Sequence, residues 1–133
     1  MTNCKGKILV IDDELIVLDL IKYNLENEGY SVDVLNNVED AFLSDLSKYN
    51  LIIADVMMGT ISGIEFANKV KQNPKTAHIP IIICSEKGLK GDIINGLRLG
   101  VDDYIVKPIS MRELIARVGS ILRRHSITRN YSK

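Results

Sequence analysis

Short, nearly continuous apolar runs that end in charged residues are the feature that most constrains the fold of this 133-residue chain. The clearest are ILVI before Asp12-Asp13, LIIA before Asp55, and DYIV before Lys107-Pro108. Runs of this kind are typical of strands covered on both faces, as in parallel sheets. In open parallel sheets the carboxyl ends of the strands meet at one edge, outside which ligands bind. The pattern therefore predicts one site at which acids and a lysine meet.

Helical patterns separate the strand-like runs, which indicates βαβ units. We predict strands at 7–11, 31–35, 51–54, 80–84 and 103–106, and helices at about 14–28, 38–48, 62–72, 88–99 and 110–124. In the first helix, Leu15, Leu18, Ile21 and Leu25 recur at helical spacing, and Gly29 is expected to end it. Right-handed crossovers then predict an α/β fold, a doubly wound (βα)5 parallel sheet of five strands.

The composition is that of one globular domain, with 46% hydrophobic and 26% charged residues. No apolar run is long enough for a membrane span, and no signal-peptide core is seen. We therefore expect a cytoplasmic protein without a membrane partner. Cys4 and Cys84 would lie at opposite edges of the sheet, so we expect two reduced thiols and no disulfide. His78 and His125 have no ligand cluster nearby in the sequence and are given no role.

The formal net charge of +0 hides an uneven distribution. Residues 107–133 carry 7 Lys and Arg against 1 acid, whereas residues 1–106 carry 10 against 16. A basic end can indicate nucleic acid or an acidic partner, although a solvated helix face is the more common explanation. Residues 126–133 show no periodicity and are predicted to be a tail or the start of a linker.

The residues at the strand ends indicate phosphoryl chemistry. A bare phosphate would need a glycine-rich turn after the first strand, and Asp12-Asp13 would repel it instead. Two unit charges about 4 Å apart repel by about 4 kcal/mol at an effective dielectric of 20. Three clustered carboxylates therefore need a cation, or one of them must take up a proton. Mg²⁺ suits carboxylate ligands, and Lys107 adds a compact positive charge. Asp55 could then attack phosphorus, with Ser85 as a hydroxyl donor.

Each of these residues also has a simpler explanation when taken alone. Asp12 or Asp13 could cap the helix that follows, Asp55 could be a loop acid, and Ser85 could start a turn. Their joint occurrence at the ends of predicted parallel strands favours a shared site.

Four motifs together resemble the receiver domain of two-component response regulators, from about residue 5 to 124. They are ILVIDDE, the stretch from Leu51 to Gly63, IIICS, and LGVDDYIVKP. The resemblance implies the flavodoxin-like strand order 2-1-3-4-5, with a receiver domain over 1–125. It implies that 126–133 are a tail or the start of a linker to an effector domain absent from these residues.

The resemblance also implies roles for the site residues. Asp55 would be the phosphoacceptor for a sensor histidine kinase, and Lys107, joined to Pro108 by a cis bond, would contact the phosphoryl group. The ligands of Mg²⁺ would be Asp12, Asp13, Asp55 and the backbone carbonyl of Met57. Ser85 and Tyr104 would form the switch that reports phosphorylation.

The last helix is similar to that of receivers that precede a winged-helix (OmpR-type) DNA-binding domain, which implies control of transcription. The matching charges imply a homodimer through the face of the last two helices and the fifth strand: Asp102, Asp103, Arg117 and Arg124. The chain departs from the family at three places: Gly91-Asp92-Ile93 where an acid and a base are usual, Gly59 where a proline is usual, and Glu86 where a small residue is usual.

Three functions remain in competition at this point. The first is a phosphorylation-dependent signalling switch that is not an enzyme beyond slow autodephosphorylation. The second is a Mg²⁺-dependent phosphatase of the haloacid-dehalogenase type, which would need an acid where Met57 stands. The third is a pseudo-receiver that binds partners without phosphorylation, which Gly59 and Glu86 keep open.

Overall fold

A computed structural model describes residues 4–56, 63–86 and 100–131, with side chains to His125. The strands are β1 Lys7–Ile11, β2 Ser31–Leu35, β3 Leu51–Asp55, β4 Ile81–Glu86 and β5 Asp103–Lys107. The helices are α1 Leu15–Asn27, α2 Val38–Leu43, α3 Gly63–Gln72 and a C-terminal helix, Met111–Tyr131. A single 3-10 turn, Leu46–Lys48, precedes β3. The predicted helix at 88–99 lies outside the described residues.

The five strands form one parallel sheet in the order β2-β1-β3-β4-β5, which confirms the predicted fold and strand order. Alternate residues of each central strand face opposite layers. Ile8 and Val10 pack with α1 and the C-terminal helix, whereas Leu9 and Ile11 pack with α2 and α3. Both faces of the sheet are thus covered, which explains why the central strands are apolar without alternation.

Helix α1 ends as predicted. Gly29 has a φ of 101°, and its N–H donates to the carbonyl of Glu26 while that of Tyr30 donates to Leu25. This pair of bonds is a Schellman motif, for which glycine is the preferred residue. The apolar stripe of α1 buries Leu18, Ile21 and Leu25, whereas Leu15 is 65% exposed. Because 3.6 residues make a turn, the later members of the stripe have rotated away from Leu15.

Two helix boundaries differ from the prediction. The helix predicted at 38–48 is interrupted after Leu43, since Ser44 is extended and the Asp45 side chain accepts a hydrogen bond from the N–H of Ser47, starting a separate turn. The C-terminal helix, predicted to end at about 124, continues to Tyr131, so the backbone of 126–131 is helical. Within the described part of the chain, no helix combines the length and the apolar character needed to cross a bilayer.

Candidate functional site

Three strands bring Asp12, Asp55 and Lys107 together at the carboxyl edge of the sheet. Asp12 directly follows β1, Asp55 ends β3 and Lys107 ends β5. The ammonium nitrogen of Lys107 lies 3.0 Å from Asp12 Oδ2 and 3.1 Å from Asp55 Oδ2. The two carboxylates are only 2% and 5% exposed. Residues that are 52 and 95 positions apart from this lysine therefore share one buried ion cluster.

A third carboxylate, that of Asp13, completes the acidic cluster from its exposed side. Asp12, Asp13 and Asp55 each offer an oxygen within 4.8 Å of the others. One oxygen of Asp12 also accepts a hydrogen bond from the N–H of Glu14, which fixes its orientation. Among the described residues, three carboxylates meet one ammonium and leave excess negative charge. Oxygen donors of this kind suit a hard divalent cation. The donor set therefore fits a Mg²⁺ ion at this place.

Lys107 is held in its charged form by the acids around it. Burial alone would lower the pKa of its ammonium, but hydrogen bonds to Asp12 and Asp55, and the charges of both acids, raise that pKa above the usual lysine value. Glu14 lies further away, 3.8 Å from the same nitrogen. A lysine in this setting stays cationic across the physiological pH range.

The two residues predicted to form a switch lie on neighbouring strands. Ser85 is fully buried, and its hydroxyl donates to the backbone carbonyl of Glu86 at 3.2 Å instead of to a group of the acidic cluster. Tyr104, on β5, is half-buried and is the register partner of Ile83. The serine therefore stands next to the site with its hydroxyl engaged elsewhere.

Gly63 closes one of the four sequence motifs, but the sequence alone gave no reason for a glycine there. It is the first residue of α3, and its N–H donates to the carbonyl of Val56. A Cβ at this position would overlap the backbone carbonyl of Asp55. Only glycine lets α3 start this close to the end of β3, which fixes the backbone that carries Asp55.

The charges predicted for a dimer face make contacts within the chain. The Arg117 guanidinium donates to Asp103 at 2.6 Å and to Glu113 at 2.9 Å. Asp102 accepts from the backbone N–H of Ile81, and lies 3.6 Å from the Lys71 ammonium and 3.1 Å from His125 Nε2. His125, which was given no role, therefore ties the C-terminal helix to the start of β5.

Some predicted features cannot be placed on this geometry. Met57, Gly59 and residues 91–93 lie outside the described residues.

Cys84 is buried behind the site; burial, and then the charge of Asp55, raise the pKa of its thiol to about 12. Cys4 is exposed, and both thiols are unpaired, as predicted. The Lys107-Pro108 bond is cis, also as predicted.

Residues 8–119 match the model of the response regulator receiver domain. Among curated proteins, the phosphate regulon transcriptional regulatory protein PhoB of Rhizobium meliloti is 40% identical over 119 residues, which cover 89% of this chain and 52% of PhoB. The transcriptional regulatory protein ResD of Bacillus subtilis is 41% identical over 123 residues, which cover 92% of this chain and 50% of ResD. The chain thus spans about half the length of the curated relatives it matches.

Solved structures agree with this match. A putative response regulator from Chloroflexus aurantiacus has a TM-score of 0.83 and 29% identity, covering 89% of this chain and 98% of that one. The receiver domain of the Francisella response regulator 1452 has a TM-score of 0.80 and 33% identity, covering 90% and 98%. The chain belongs to the response regulator receiver domain family, a family of signalling domains that partner with sensor histidine kinases.

Proposed function

We propose that this receiver domain accepts a phosphoryl group on Asp55 from a phosphohistidine of a sensor histidine kinase. The observation that carries the proposal is the buried Asp55 carboxylate, 3.1 Å from the Lys107 ammonium and within one acidic cluster with Asp12 and Asp13. We expect the reaction to take place in the cytoplasm, where ATP supplies the kinase.

The transfer is a displacement at phosphorus. A carboxylate oxygen of Asp55 bonds to phosphorus as the P–N bond to the kinase imidazole breaks, and the nitrogen keeps that electron pair. The product is an acyl phosphate on Asp55. Lys107 moves its hydrogen bond from the carboxylate to a phosphoryl oxygen, which its raised pKa permits because the ammonium stays charged.

Asp12, Asp13 and Asp55 are the side chains that would hold Mg²⁺, and the carbonyl of Met57 is the predicted fourth ligand. The ion would neutralise charge on the phosphoryl oxygens during transfer. Asp12 also keeps its contact with Lys107, so the acids that bind the metal position the lysine as well.

The site is better suited to hold a phosphoryl group than to release it. A phosphatase of the haloacid-dehalogenase type needs a second acid two residues after the nucleophile, and the thioether of Met57 cannot donate a proton. We therefore propose slow autodephosphorylation and no catalytic turnover. A pseudo-receiver is disfavoured because the acids and Lys107 are already in mutual contact.

Phosphorylation would change the output surface through Ser85 and Tyr104. The added charge of about −1.5 to −2 attracts hydrogen-bond donors, and the Ser85 hydroxyl can reach it by giving up its bond to Glu86. Tyr104 would then turn inward. We propose a homodimer through β5, the C-terminal helix and the helix predicted at 88–99, in which Arg117 and Asp103 exchange their contact between protomers.

The curated relatives named above are transcriptional regulators. We accordingly propose that the dimer controls transcription through a C-terminal DNA-binding domain outside these residues. Arg124 and Asp102 would be the second charge pair of the face, although Asp102 also bonds within its own chain here.

The experiment is intact-protein mass spectrometry after incubation with a small phosphodonor and Mg²⁺. We expect one added phosphoryl group on the native chain and none on Asp55→Asn. The control is Asp19→Asn, an exposed acid on α1, which should be labelled like the native chain. Undiminished labelling of Asp55→Asn would contradict the assignment of the phosphoacceptor.

A further inference from the structure

A pocket lined by both apolar and polar groups lies at the opposite edge of the sheet from the acidic cluster. It has a volume of about 320 Å³ and is lined by Lys5, Tyr30, Gly119, Leu122 and Arg123. Lys5 precedes β1 and Tyr30 precedes β2, so the pocket opens at the amino ends of these strands, beside the C-terminal helix. It is therefore separate from the proposed phosphorylation site.

Three hydrogen-bond donors converge on this pocket. The Lys5 ammonium lies 5.7 Å from the centre of the Tyr30 ring. An ideal Cβ built on Gly119 would lie 3.2 Å from Arg123 Nη1 and 3.9 Å from the Tyr30 hydroxyl, so both groups face the same small volume. Among the described residues, none of the three side chains forms an ion pair with an acid or a side-chain hydrogen bond. These three donor groups are thus not already engaged by an acid of the described chain.

The electrostatic balance of the pocket is positive. Lys5 and Arg123 contribute two cations, and Glu28 is the acid that acts on Tyr30. Burial raises the pKa of Tyr30 while the charge of Arg123 opposes that rise, so the phenol stays protonated and can donate. An anion in the pocket would meet two charges and one neutral donor.

Gly119 is an unfavourable residue for the middle of a helix, where alanine would be more stable. A Cβ added at this position would press on the Arg123 guanidinium, the flexible end of a long side chain. The missing Cβ keeps room for that guanidinium above the helix. Glycine at position 119 therefore lowers the helix propensity but leaves space in the pocket for the Arg123 side chain.

We propose that this pocket binds a phosphate group, either inorganic phosphate or a small phosphomonoester. The guanidinium of Arg123 matches the geometry of two phosphate oxygens, and Lys5 and Tyr30 would reach the others. A carboxylate has only two oxygens in one plane, so one of them would have to accept from two of the donors, whereas a phosphate can present a separate oxygen to each. The Tyr30 ring and Leu122 supply an apolar wall for the organic part of a phosphomonoester.

The test is a titration of the ¹⁵N-labelled protein with inorganic phosphate at constant ionic strength, followed by amide chemical shifts. EDTA removes divalent ions, so the acidic cluster repels phosphate and does not compete. We expect saturable shifts at Lys5, Tyr30, Gly119 and Arg123. Arg123→Gln should weaken binding by about tenfold, whereas Arg112→Gln, the same charge change at the other end of the helix, should not.

Gly119→Ala separates binding from folding. We expect this variant to melt at a higher temperature than the native chain, because alanine favours the helix, and yet to bind phosphate more weakly. Glycerol phosphate should bind like phosphate, and acetate should bind much more weakly. Shifts that do not saturate, or that are the same in Arg123→Gln and in the native chain, would overturn the proposal, as would equal binding of acetate.

Discussion

At the residue scale, the described part of the acidic cluster holds more negative charges than positive ones. In the part of the chain that the structure describes, Lys107 contacts both Asp12 and Asp55, and its one ammonium cannot neutralise three carboxylates. Removing one partner from a buried ion pair typically costs about 3–5 kcal/mol, because a charge is left without compensation. The site is therefore arranged to gain stability from an added cation.

This imbalance leads to a prediction about Mg²⁺. A ligand that binds only the folded state at 100 times its dissociation constant stabilises it by about 2.7 kcal/mol, so Mg²⁺ should raise the melting temperature. Asp13→Asn should reduce this rise, because the variant loses one ligand. Without Mg²⁺ the variant should be no less stable than the native chain, since repulsion within the cluster falls.

The matched control is Asp19→Asn, which removes an exposed acid from α1 outside the cluster. It should keep the full Mg²⁺ effect in the same thermal unfolding assay. An equal effect of Mg²⁺ on Asp13→Asn and on the native chain would argue against the proposed ligand set.

At the element scale, a hydrogen bond joins β2 to the segment before β3. The Tyr49 hydroxyl donates to Asp33 Oδ2 at 2.7 Å, and Tyr49 is only 5% exposed. This hydrogen bond lowers the pKa of Asp33; burial opposes that shift, and nearby lysine charges add to it. Burial and the same bond raise the pKa of Tyr49. Both shifts favour the pair of a neutral phenol and a charged carboxylate.

Tyr49→Phe should lower the free energy of unfolding at neutral pH by about 1 kcal/mol, a value reduced by the exposure of Asp33. The stabilisation from the lowered carboxyl pKa is present above the pKa of the unfolded chain and is lost as pH falls through the pKa of the folded chain. The stabilisation from the raised phenol pKa is present below about pH 10, the pKa of tyrosine in the unfolded chain, and is lost as pH rises above it. The native and variant stabilities should therefore converge at both pH extremes.

Urea unfolding at about pH 3, 7 and 10.5 measures this difference. Tyr23→Phe, at an exposed tyrosine on α1, is the control and should change little at any pH. A difference for Tyr49→Phe that stays constant across the whole pH range would contradict the linkage to Asp33.

Helix α1 presents apolar side chains to solvent beside the acidic cluster. Ile16, Leu20 and Tyr23 are 82%, 48% and 65% exposed, and their spacing of four and three residues places them on one stripe. A receiver must bring its aspartate to a kinase histidine, and this stripe starts two residues after Glu14. We therefore expect the kinase to contact it.

Ile16→Ala combined with Leu20→Ala should slow phosphoryl transfer from the kinase by about tenfold, since central apolar contacts dominate interfaces. Transfer from a small phosphodonor should be unchanged, because the reacting groups are intact. Leu43→Ala, at a side chain 87% exposed on α2, is the control. Equal loss with both donors would show damage to the site and not to docking.

At the scale of the whole molecule, the resemblance to receiver domains implied the strand order, and the apolar runs with their charged ends predicted the parallel sheet and the cluster around Lys107. This succeeded because parallel topology alone brings carboxyl ends together. Local helix geometry was harder to predict. The interruption after Leu43 depends on the turn made by Asp45, and the continuation to Tyr131 follows no apolar period that the sequence displays.

Contacts between distant side chains were the least predictable part. Neither the Asp102 contact of His125 nor the pocket around Gly119 has a local sequence signal, because each depends on how the C-terminal helix packs beside the amino edge of the sheet. Charge is also distributed unevenly in space. Acids gather at the carboxyl edge, and Lys5 and Arg123 meet at the amino edge.

The central claim is that Asp55 carries an acyl phosphate, and reductive trapping tests it most directly. Borohydride reduces an aspartyl phosphate to homoserine, and peptide mass spectrometry then locates the changed residue. We predict that, after phosphorylation with Mg²⁺, homoserine is found at position 55 and nowhere else. Homoserine at position 12 or 13, or its absence from a chain that has gained a phosphoryl group, would contradict this account.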